Sequence, residues 1–456
     1  MSSLIETARG FDRIEGDTAL RVEFLEPGII RVRKWAGAEP TLPDLIRYGF
    51  FRDDWPETPV QATRAGAASD LLRVSVDAES RLRIADADGG ELLAETEPAL
   101  PGPDPGFRLR FGLTPQSRLT GLGDQNRERI EHRGMSGDLW GRNVSSYIPI
   151  PLLISSDGYG VLLNTTRRVL YDLGATSDDW FGFEAEGQSA DWYFLCGPSP
   201  AETLDRYTQV TGRPMMPPRW AMGLWFICRT QADAHEFISD CLNLRREGIP
   251  CDAIGLEPGW MERNYDYSLD KSWNDERFPI PSYSRVAGTF FTAARNLGFK
   301  PGLWLCNDYD LSYEEERRLD PAVRSAEERA RSSFAAGHEV DENLRGRRYL
   351  DTLTRPDEPW YRHLEKFVDE GAHWFKQDGA NQVLEHPDRL WGNGMTDARM
   401  HNLYPLLYSR QMLQGFREHT GLRTFTFTPS GWAGLQAFTG TWIDRLTSSS
   451  MPTIHR

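Results

Sequence analysis

The sequence has few of the features that mark metal-binding, secreted or membrane-spanning proteins. Its first residues hold no apolar stretch of signal-peptide length, and no run approaches the roughly 18 apolar residues of a transmembrane helix. No two of its cysteines stand in C-x-x-C spacing, which argues against a zinc site. We therefore expect reduced thiols, a cytoplasmic location and no membrane association. The cysteines are Cys196, Cys228, Cys241, Cys251 and Cys306.

Positive charge is also scarce. The formal net charge is −15, from 52 Lys and Arg against 67 Asp and Glu, so the chain lacks the basic surplus that nucleic-acid binding requires. No His, Asp and Glu stand at metal-ligand spacing, and no Gly-rich phosphate fingerprint follows a strand, so we predict no metal and no cofactor. Aromatic residues are plentiful at 11%, and their flat faces suit the apolar faces of pyranose rings.

The first part of the chain, residues 1–213, has the pattern of a β-sandwich. Short runs such as "ALRVEFLEPGIIRVRKW" alternate apolar and polar residues and are separated by turn signals. One helix is predicted at "SPAETLDRYTQVTG", where Ser199 and Glu202 stand in capping-box positions. The proline cluster that begins at Pro214 marks the predicted domain boundary.

The second part, residues 214–456, alternates apolar strand-like runs with amphipathic helix-like runs. The strand-like runs are "RWAMGLWFI", "CDAIGLE", "KPGLWLC", "GAHWFKQD", "RTFTFT" and "GTWID". The helix-like runs are "QADAHEFISDCLNLRREG", "SRVAGTFFTAARNLG", "DARMHNLYPLLYSRQMLQGFREHTG" and "WAGLQAF". This alternation predicts a parallel sheet covered by helices, as in a (β/α)8-type TIM barrel. Only about six strand-like runs are present, so we expect an incomplete barrel. The fold class is therefore α/β plus β.

Polar residues and tryptophans gather where these strands end. Barrel enzymes carry their catalytic groups at the C-terminal ends of strands. Any one polar residue there is more often a loop starter or a helix cap, but carboxylates beside tryptophans together suit a pyranose site. The strand-end polar candidates are Arg229, Glu257, Asp308, Lys376, Asp378 and Asp444, and the tryptophans are Trp225, Trp260, Trp304, Trp374, Trp432 and Trp442. Of these we expect Glu257, Lys376, Asp308, Trp260, Trp304 and Trp432 to bind substrate.

Several motifs in order resemble glycoside hydrolase family 31, the retaining α-glycosidases. They cover most of the chain from about residue 110 onward, and their combination is more specific than any one of them. The motifs are "GLGDQNRERIEHRG", "IPIPLLISSDGYGVLLN", "PPRWAMGLWFICR", "GIPCDAIGLEPGWM", "FKQDGAN" and "FTPSGWAGLQ".

The resemblance implies roles for three of these residues. Asp378 matches the family's nucleophile, and Lys376 points to the same side of the strand and would keep that carboxylate ionised. Glu257 stands where the family commonly carries an aspartate that binds sugar hydroxyls, and Pro429 stands where many members carry an arginine. Both departures favour an α-galactosidase-type branch over a glucose-type pocket.

The second carboxyl group of a retaining mechanism is harder to place. It should lie about 5 Å from the nucleophile, and the family carries it in a Trp-x-Gly-Asp turn. This chain reads "GTWIDRLTSSSMPTIHR", so Asp444 is a displaced acid/base candidate, one position early. The same region would have to supply the remaining barrel strands, so we expect a truncated or frameshifted family member whose open edges favour a homo-oligomer.

The predicted function is that of a retaining exo-α-glycosidase, of α-galactosidase or α-glucosidase type. It would hydrolyse terminal α-linked sugars or oligosaccharides through a covalent glycosyl-aspartate. An alternative is a catalytically inactive carbohydrate-binding or assembly protein that keeps the sandwich and part of the pocket. A phosphate-sugar isomerase is a third reading, and the lack of phosphate-binding glycines weakens it.

Overall fold

The computed structural model describes residues 3–101, 106–125, 129–141, 148–187, 189–263, 271–279, 289–306, 360–378 and 393–441. The chain divides into two compact units. The first contains Met1–Pro214 and Gly431–Ala437, and the second contains Met215–Ser430 and Phe438–Arg456. The predicted boundary at Pro214 does not account for Gly431–Ala437, which groups with the first unit. In the described part of the chain, no helix is long and apolar enough to cross a membrane.

The first unit is built from antiparallel strands. They are, in chain order, β1 (Ser3–Thr7), β2 (Gly10–Glu15), β3 (Thr18–Glu26), β4 (Ile29–Ala36), β5 (Gln61–Thr63), β6 (Gly66–Ala68), β7 (Leu72–Val76), β8 (Leu82–Asp86), β9 (Glu91–Ala94), β10 (Leu100–Pro101), β11 (Gly106–Gly112), β12 (Leu119–Gly123), β13 (Ser136–Leu139), β14 (Pro149–Ser155), β15 (Tyr159–Leu163), β16 (Val169–Asp172), β17 (Trp180–Glu186) and β18 (Ser189–Cys196).

These strands form three sheets in the described residues. An eight-stranded sheet has the order β1-β2-β3-β4-β18-β15-β14-β12, and a five-stranded sheet has the order β10-β11-β17-β16-β13. The rings of Phe111 on β11 and Trp192 on β18 meet at 5.2 Å, so side chains of these two sheets share a core. The strands β5 to β9 form a separate five-stranded sheet in chain order.

Two short helices accompany the first unit, α1 (Asp44–Arg47) and α2 (Pro200–Thr211). The predicted capping box of α2 is confirmed. The Ser199 side chain accepts a hydrogen bond from the Glu202 backbone N–H, and the Glu202 side chain accepts one from the Ser199 backbone N–H.

The second unit contains a parallel sheet with the order β19-β20-β21-β22, formed by β19 (Trp225–Ile227), β20 (Ala253–Leu256), β21 (Lys300–Cys306) and β22 (Trp374–Asp378). Single parallel bridges extend it from Lys376 to Phe427 and from Phe427 to Gly440. The predicted strand "RTFTFT" is therefore present only as a bridge position at Phe427. Of the predicted strand "GTWID", Gly440 is a bridge position and residues 442–444 lie outside the described residues.

The described helices of this unit are α3 (Ala234–Arg246), α4 (Thr289–Asn296), α5 (Glu365–Asp369), α6 (Asp397–Met400) and α7 (Tyr404–Thr420). All but α5 lie in runs that were predicted to be helical, with adjusted ends, and α5 was not predicted. Helix α3 begins after Asp233 because that side chain accepts a hydrogen bond from the Glu236 N–H. One long helix was expected where α6 and α7 lie, and Pro405 in the first turn of α7 marks the break. "WAGLQAF" forms only the 3₁₀ turn Leu435–Ala437.

A tryptophan fills the space beside two glycines of the parallel sheet. Gly255 and Gly302 are paired in register, and Gly302 is also paired with Trp374. A Cβ at either glycine would collide with the Trp374 indole, which is fully buried. The ring also meets Trp225 at 4.6 Å. The glycines are therefore required by the close approach of this ring rather than by a turn.

We expect Gly302→Ala to destabilise the second unit by roughly 1–3 kcal/mol, because the added methyl group meets a ring that cannot move aside. Gly112→Ala is the matched control, because a Cβ at that strand residue would find its nearest neighbours at 3.9 Å. Urea denaturation of both variants measures the difference. Equal stability of the two variants would contradict this packing.

A buried acid in the first unit makes its stability depend on pH. Glu95 is 6% exposed, and its Oε2 accepts a hydrogen bond of 2.8 Å from the Leu82 N–H. Burial raises the pKa of Glu95 to about 7 from an ordinary 4.5, against the opposing effects of the Leu82 N–H and Lys34, while Asp77 adds to the rise. The unfolded chain loses this proton first, so stability falls as the pH rises from about 4.5 to 7.

We therefore expect Glu95→Gln to raise the free energy of unfolding above pH 7 by up to roughly 3 kcal/mol, because the amide keeps the acceptor and removes the charge. At pH 4.5 the gain should vanish. Thermal denaturation at pH 4.5 and pH 8 measures both. A gain of equal size at the two pH values would show that the charge of Glu95 is not its cause.

Candidate active site

The parallel register brings four predicted site residues together at one end of the sheet. Trp304 on β21 is paired with Lys376 on β22, and Cys306 is paired with Asp378. Paired residues of parallel strands and residues two apart share a face, so Trp304, Lys376 and Asp378 point the same way. Glu257 follows the last residue of β20 and begins the 3₁₀ turn Pro258–Trp260. These residues lie at the C-terminal ends of their strands, where a barrel places its site.

Lys376 lies between two carboxylates. Its Nζ is 2.9 Å from Oε1 of Glu257 and 3.3 Å from Oδ2 of Asp378. The side chains are 18% exposed for Lys376, 20% for Glu257 and 34% for Asp378, so the group opens to solvent mainly at Asp378. A nucleophile needs this combination of partial exposure and nearby positive charge.

The charge state of Lys376 follows from these neighbours. Burial is the largest influence on the pKa of Lys376 and lowers it, but Asp378 and then Glu257 outweigh burial and leave the pKa above its ordinary value of 10.5. The ammonium therefore stays charged at neutral pH. Glu257 accepts a hydrogen bond from this ammonium through Oε1.

Two tryptophans stand behind the nucleophile candidate. Nε1 of Trp304 donates a 2.9 Å hydrogen bond to Oδ2 of Asp378. Nε1 of Trp260 donates a 2.9 Å hydrogen bond to the backbone oxygen of Trp304. Trp304 is 5% exposed and Trp260 is fully buried. The prediction that Trp260 offers a sugar-facing wall is corrected by this burial, because its ring lies in the core.

The other tryptophans of the predicted cluster lie elsewhere. Trp225 and Trp374 are the first residues of β19 and β22, so the expectation that they stand at the C-terminal ends is wrong. Nε1 of Trp374 donates to the backbone oxygen of Lys300, the first residue of β21. Trp432 belongs to the first unit, is fully buried and donates to the Thr165 backbone oxygen at 2.7 Å. Trp432 is therefore a core residue in this structure, against the predicted role in binding substrate.

Of the remaining predicted site residues, one forms an ion pair on the surface and three lie outside the described residues. Arg229 is 62% exposed, and its guanidinium bonds both carboxylate oxygens of Glu236. Asp308, Trp442 and Asp444 lie outside the described residues. Their predicted roles stay predictions.

One polar residue behind the site was not among the predicted site residues. Gln377 is fully buried on the face of β22 opposite Lys376 and Asp378, and its Oε1 accepts a 3.3 Å hydrogen bond from Ser409 Oγ on α7. The alternation of side chains along β22 could have placed it against a covering helix. It fixes the strand that carries the nucleophile candidate.

Family models match both parts of the chain. "Glycosyl hydrolases family 31 TIM-barrel domain" matches residues 214–452, and "Glycosyl hydrolase 31 N-terminal galactose mutarotase-like domain" matches residues 19–172. The chain belongs to glycoside hydrolase family 31. This confirms the resemblance and the predicted sandwich followed by a TIM-barrel domain.

Curated family 31 relatives include α-xylosidases and α-glucosidases. The α-xylosidase XylQ of Lactiplantibacillus pentosus is 26% identical over 69% of this chain and 41% of its own length. An α-glucosidase of Hordeum vulgare is 23% identical over 94% of this chain and 53% of its own length. The chain thus spans about half the length of these curated relatives.

Solved family 31 structures share the fold. A mutant of a Flavobacterium johnsoniae dextranase complexed with isomaltotriose superposes with a TM-score of 0.77 at 18% identity, covering 97% of this chain and 55% of that one. An α-xylosidase from a soil metagenome complexed with xylose gives a TM-score of 0.76 at 18% identity, covering 96% and 67%. At this identity the likeness concerns the fold.

We expect Lys376→Met to lower the free energy of unfolding at pH 7.5 by roughly 1–3 kcal/mol, because it leaves two half-buried carboxylates without their shared cation. The double variant Lys376→Met, Glu257→Gln should recover part of this loss by removing one of the charges. Urea denaturation of both variants measures the difference.

Arg229→Met provides the control for loss of an exposed ion pair, which costs about 0–1 kcal/mol. If Lys376→Met costs no more than Arg229→Met, the bridging role of Lys376 is contradicted.

Proposed function

We propose that this chain carries the sugar-binding and nucleophile part of a retaining α-glycosidase that acts on terminal α-linked sugars. The observation that carries the proposal is the placement of Asp378 at the end of β22, partly exposed and held by Lys376 and Trp304. A carboxylate that accepts an indole hydrogen bond and pairs with an ammonium group is held in orientation, as a nucleophile must be.

The reaction then runs in two displacements. In the first, a carboxylate oxygen of Asp378 bonds to the anomeric carbon while the bond from that carbon to the leaving oxygen breaks, and the leaving oxygen takes a proton from a general acid. In the second, water loses a proton to the same group and attacks the anomeric carbon, and the ester bond to Asp378 breaks. Two inversions restore the α configuration.

Glu257 and Lys376 bind the sugar in this proposal. Glu257 Oε1 and Lys376 Nζ form a salt bridge of 2.9 Å, which offers an acceptor and a donor to neighbouring hydroxyl groups of one pyranose. The relatives named above support an α-xyloside or an α-glucoside as the substrate. The Glu257 side chain, one methylene longer than the family's usual aspartate, favours an α-galactoside.

Asp444 is the proposed acid/base. Glu257 is a poor choice for this role, since it is paired with Lys376. A substrate whose leaving group needs no proton distinguishes the role of the nucleophile from that of the acid/base. The first displacement on such a substrate depends on the nucleophile alone. Fluoride is such a leaving group.

The test measures hydrolysis of the α-fluorides and the p-nitrophenyl α-glycosides of xylose, glucose and galactose. We expect Asp378→Asn to lower kcat on every substrate that the wild type cleaves by at least about a thousandfold, because the covalent step is lost. Asp444→Asn should slow the p-nitrophenyl glycoside more than the fluoride if Asp444 supplies the proton.

Asp369→Asn is the matched control, since Asp369 is 68% exposed and pairs with His419 on the surface. It should retain wild-type turnover. A chain that binds these sugars without cleaving any of them, whether or not Asp378 is changed, would refute the enzyme proposal and favour the carbohydrate-binding alternative.

A further inference from the structure

We propose that Trp260 and Trp304 form a hydrogen-bonded relay that fixes the orientation of the Asp378 carboxylate and leaves Oδ1 as the attacking oxygen. This inference rests on the proposed function, in which Asp378 is the nucleophile. It assigns the two tryptophans as positioning residues, in place of the sugar-facing walls that the sequence suggested.

The two oxygens of Asp378 differ in their contacts. Trp304 Nε1 at 2.9 Å and Lys376 Nζ at 3.3 Å both reach Oδ2. Two donors that converge on one oxygen from different strands fix the rotation of the carboxylate. Among the described residues, both donors to this carboxylate meet Oδ2, so Oδ1 is the oxygen left to approach a substrate.

Trp304 is held in turn by Trp260. Its backbone oxygen accepts the 2.9 Å hydrogen bond from Trp260 Nε1. Trp260 is fully buried and packs edge-to-face against Trp273, at 5.0 Å, and Phe367, at 4.9 Å. An aromatic side chain with two torsions, packed on its faces and bonded at its edge, has little freedom to move. The packing of Trp260 thereby restrains Trp304 through one hydrogen bond, and Trp304 restrains the Asp378 carboxylate through a second.

The orientation of the Asp378 carboxylate matters for catalysis. Displacing the nucleophile lowers the reaction rate steeply, because the attacking oxygen must meet the anomeric carbon along one line. Trp260 is fully buried and lies behind Trp304, so its substitution should leave sugar binding intact. The relay therefore predicts a loss in kcat with little change in KM.

The kinetic test compares two substitutions within one aromatic cluster. Trp260→Phe keeps a ring and removes the donor to Trp304, and we expect it to lower kcat about ten- to a hundredfold with KM changed less than about twofold. Trp273→Phe is the matched control, because its indole donates to Glu370 Oε2 instead. It should keep the wild-type kcat. Equal losses in the two variants would overturn the relay and indicate general damage to the core.

A spectroscopic test needs no turnover. In protein labelled with ¹⁵N-tryptophan, the indole signal of Trp304 is identified by its loss in Trp304→Phe. We expect Asp378→Asn to shift that signal, because the hydrogen bond would lose its charged acceptor. Trp260→Phe should also shift it, and Trp273→Phe should leave it in place. A Trp304 signal that ignores Asp378→Asn would overturn the proposal.

These two readouts separate the failure of the inference from the failure of the proposed function. If the wild type cleaves no glycoside but the Trp304 signal responds to Asp378→Asn and to Trp260→Phe, the relay stands and the glycosidase proposal falls. If the wild type is active and the signal does not respond, the relay falls and the enzyme proposal stands. Should Trp260→Phe fail to fold, the Asp378→Asn spectrum still decides the hydrogen bond.

Discussion

Lys376 places one positive charge between two carboxylates that would otherwise repel each other. Glu257 comes from the end of β20 and Asp378 from the end of β22, and β21 lies between those strands. The site can therefore form only if three parallel strands keep their register, since a slip of one residue would turn Lys376 and Asp378 to the opposite face. The parallel register is thus the condition on which the chemistry depends.

On the face of the sheet that carries Lys376 and Asp378, the same register forms an apolar layer and, next to it, a polar layer. At the level of Gly255 and Gly302, the missing side chains admit the Trp374 indole, which packs against Trp225. Lys376, two residues after Trp374 on β22, and then Asp378 form the polar layer. A tight apolar layer directly beneath charged groups limits their movement and keeps water away from one side.

Local patterns were enough to predict most elements, and the resemblance of the motif "FKQDGAN" to the family identified the nucleophile candidate. The alternation of apolar and polar residues predicted the sandwich strands, and continuous apolar runs predicted β20 to β22. The Ser199–Glu202 spacing predicted the start of α2. Where the segment "RTFTFT" was expected to be a strand, only a bridge at Phe427 occurs. Such segments depend on pairing with distant neighbours, which a local pattern does not contain.

The sequence by itself determined that Lys376 and Asp378 share a face at a strand end, because side chains in a strand alternate with a fixed period of two. Only the tertiary structure decided what each tryptophan does. Trp304 donates to Asp378, Trp260 supports Trp304, and Trp432 packs in the first unit. An indole serves equally as a sugar platform, a core filler or a hydrogen-bond donor, and the choice among these depends on neighbours that are far away along the chain.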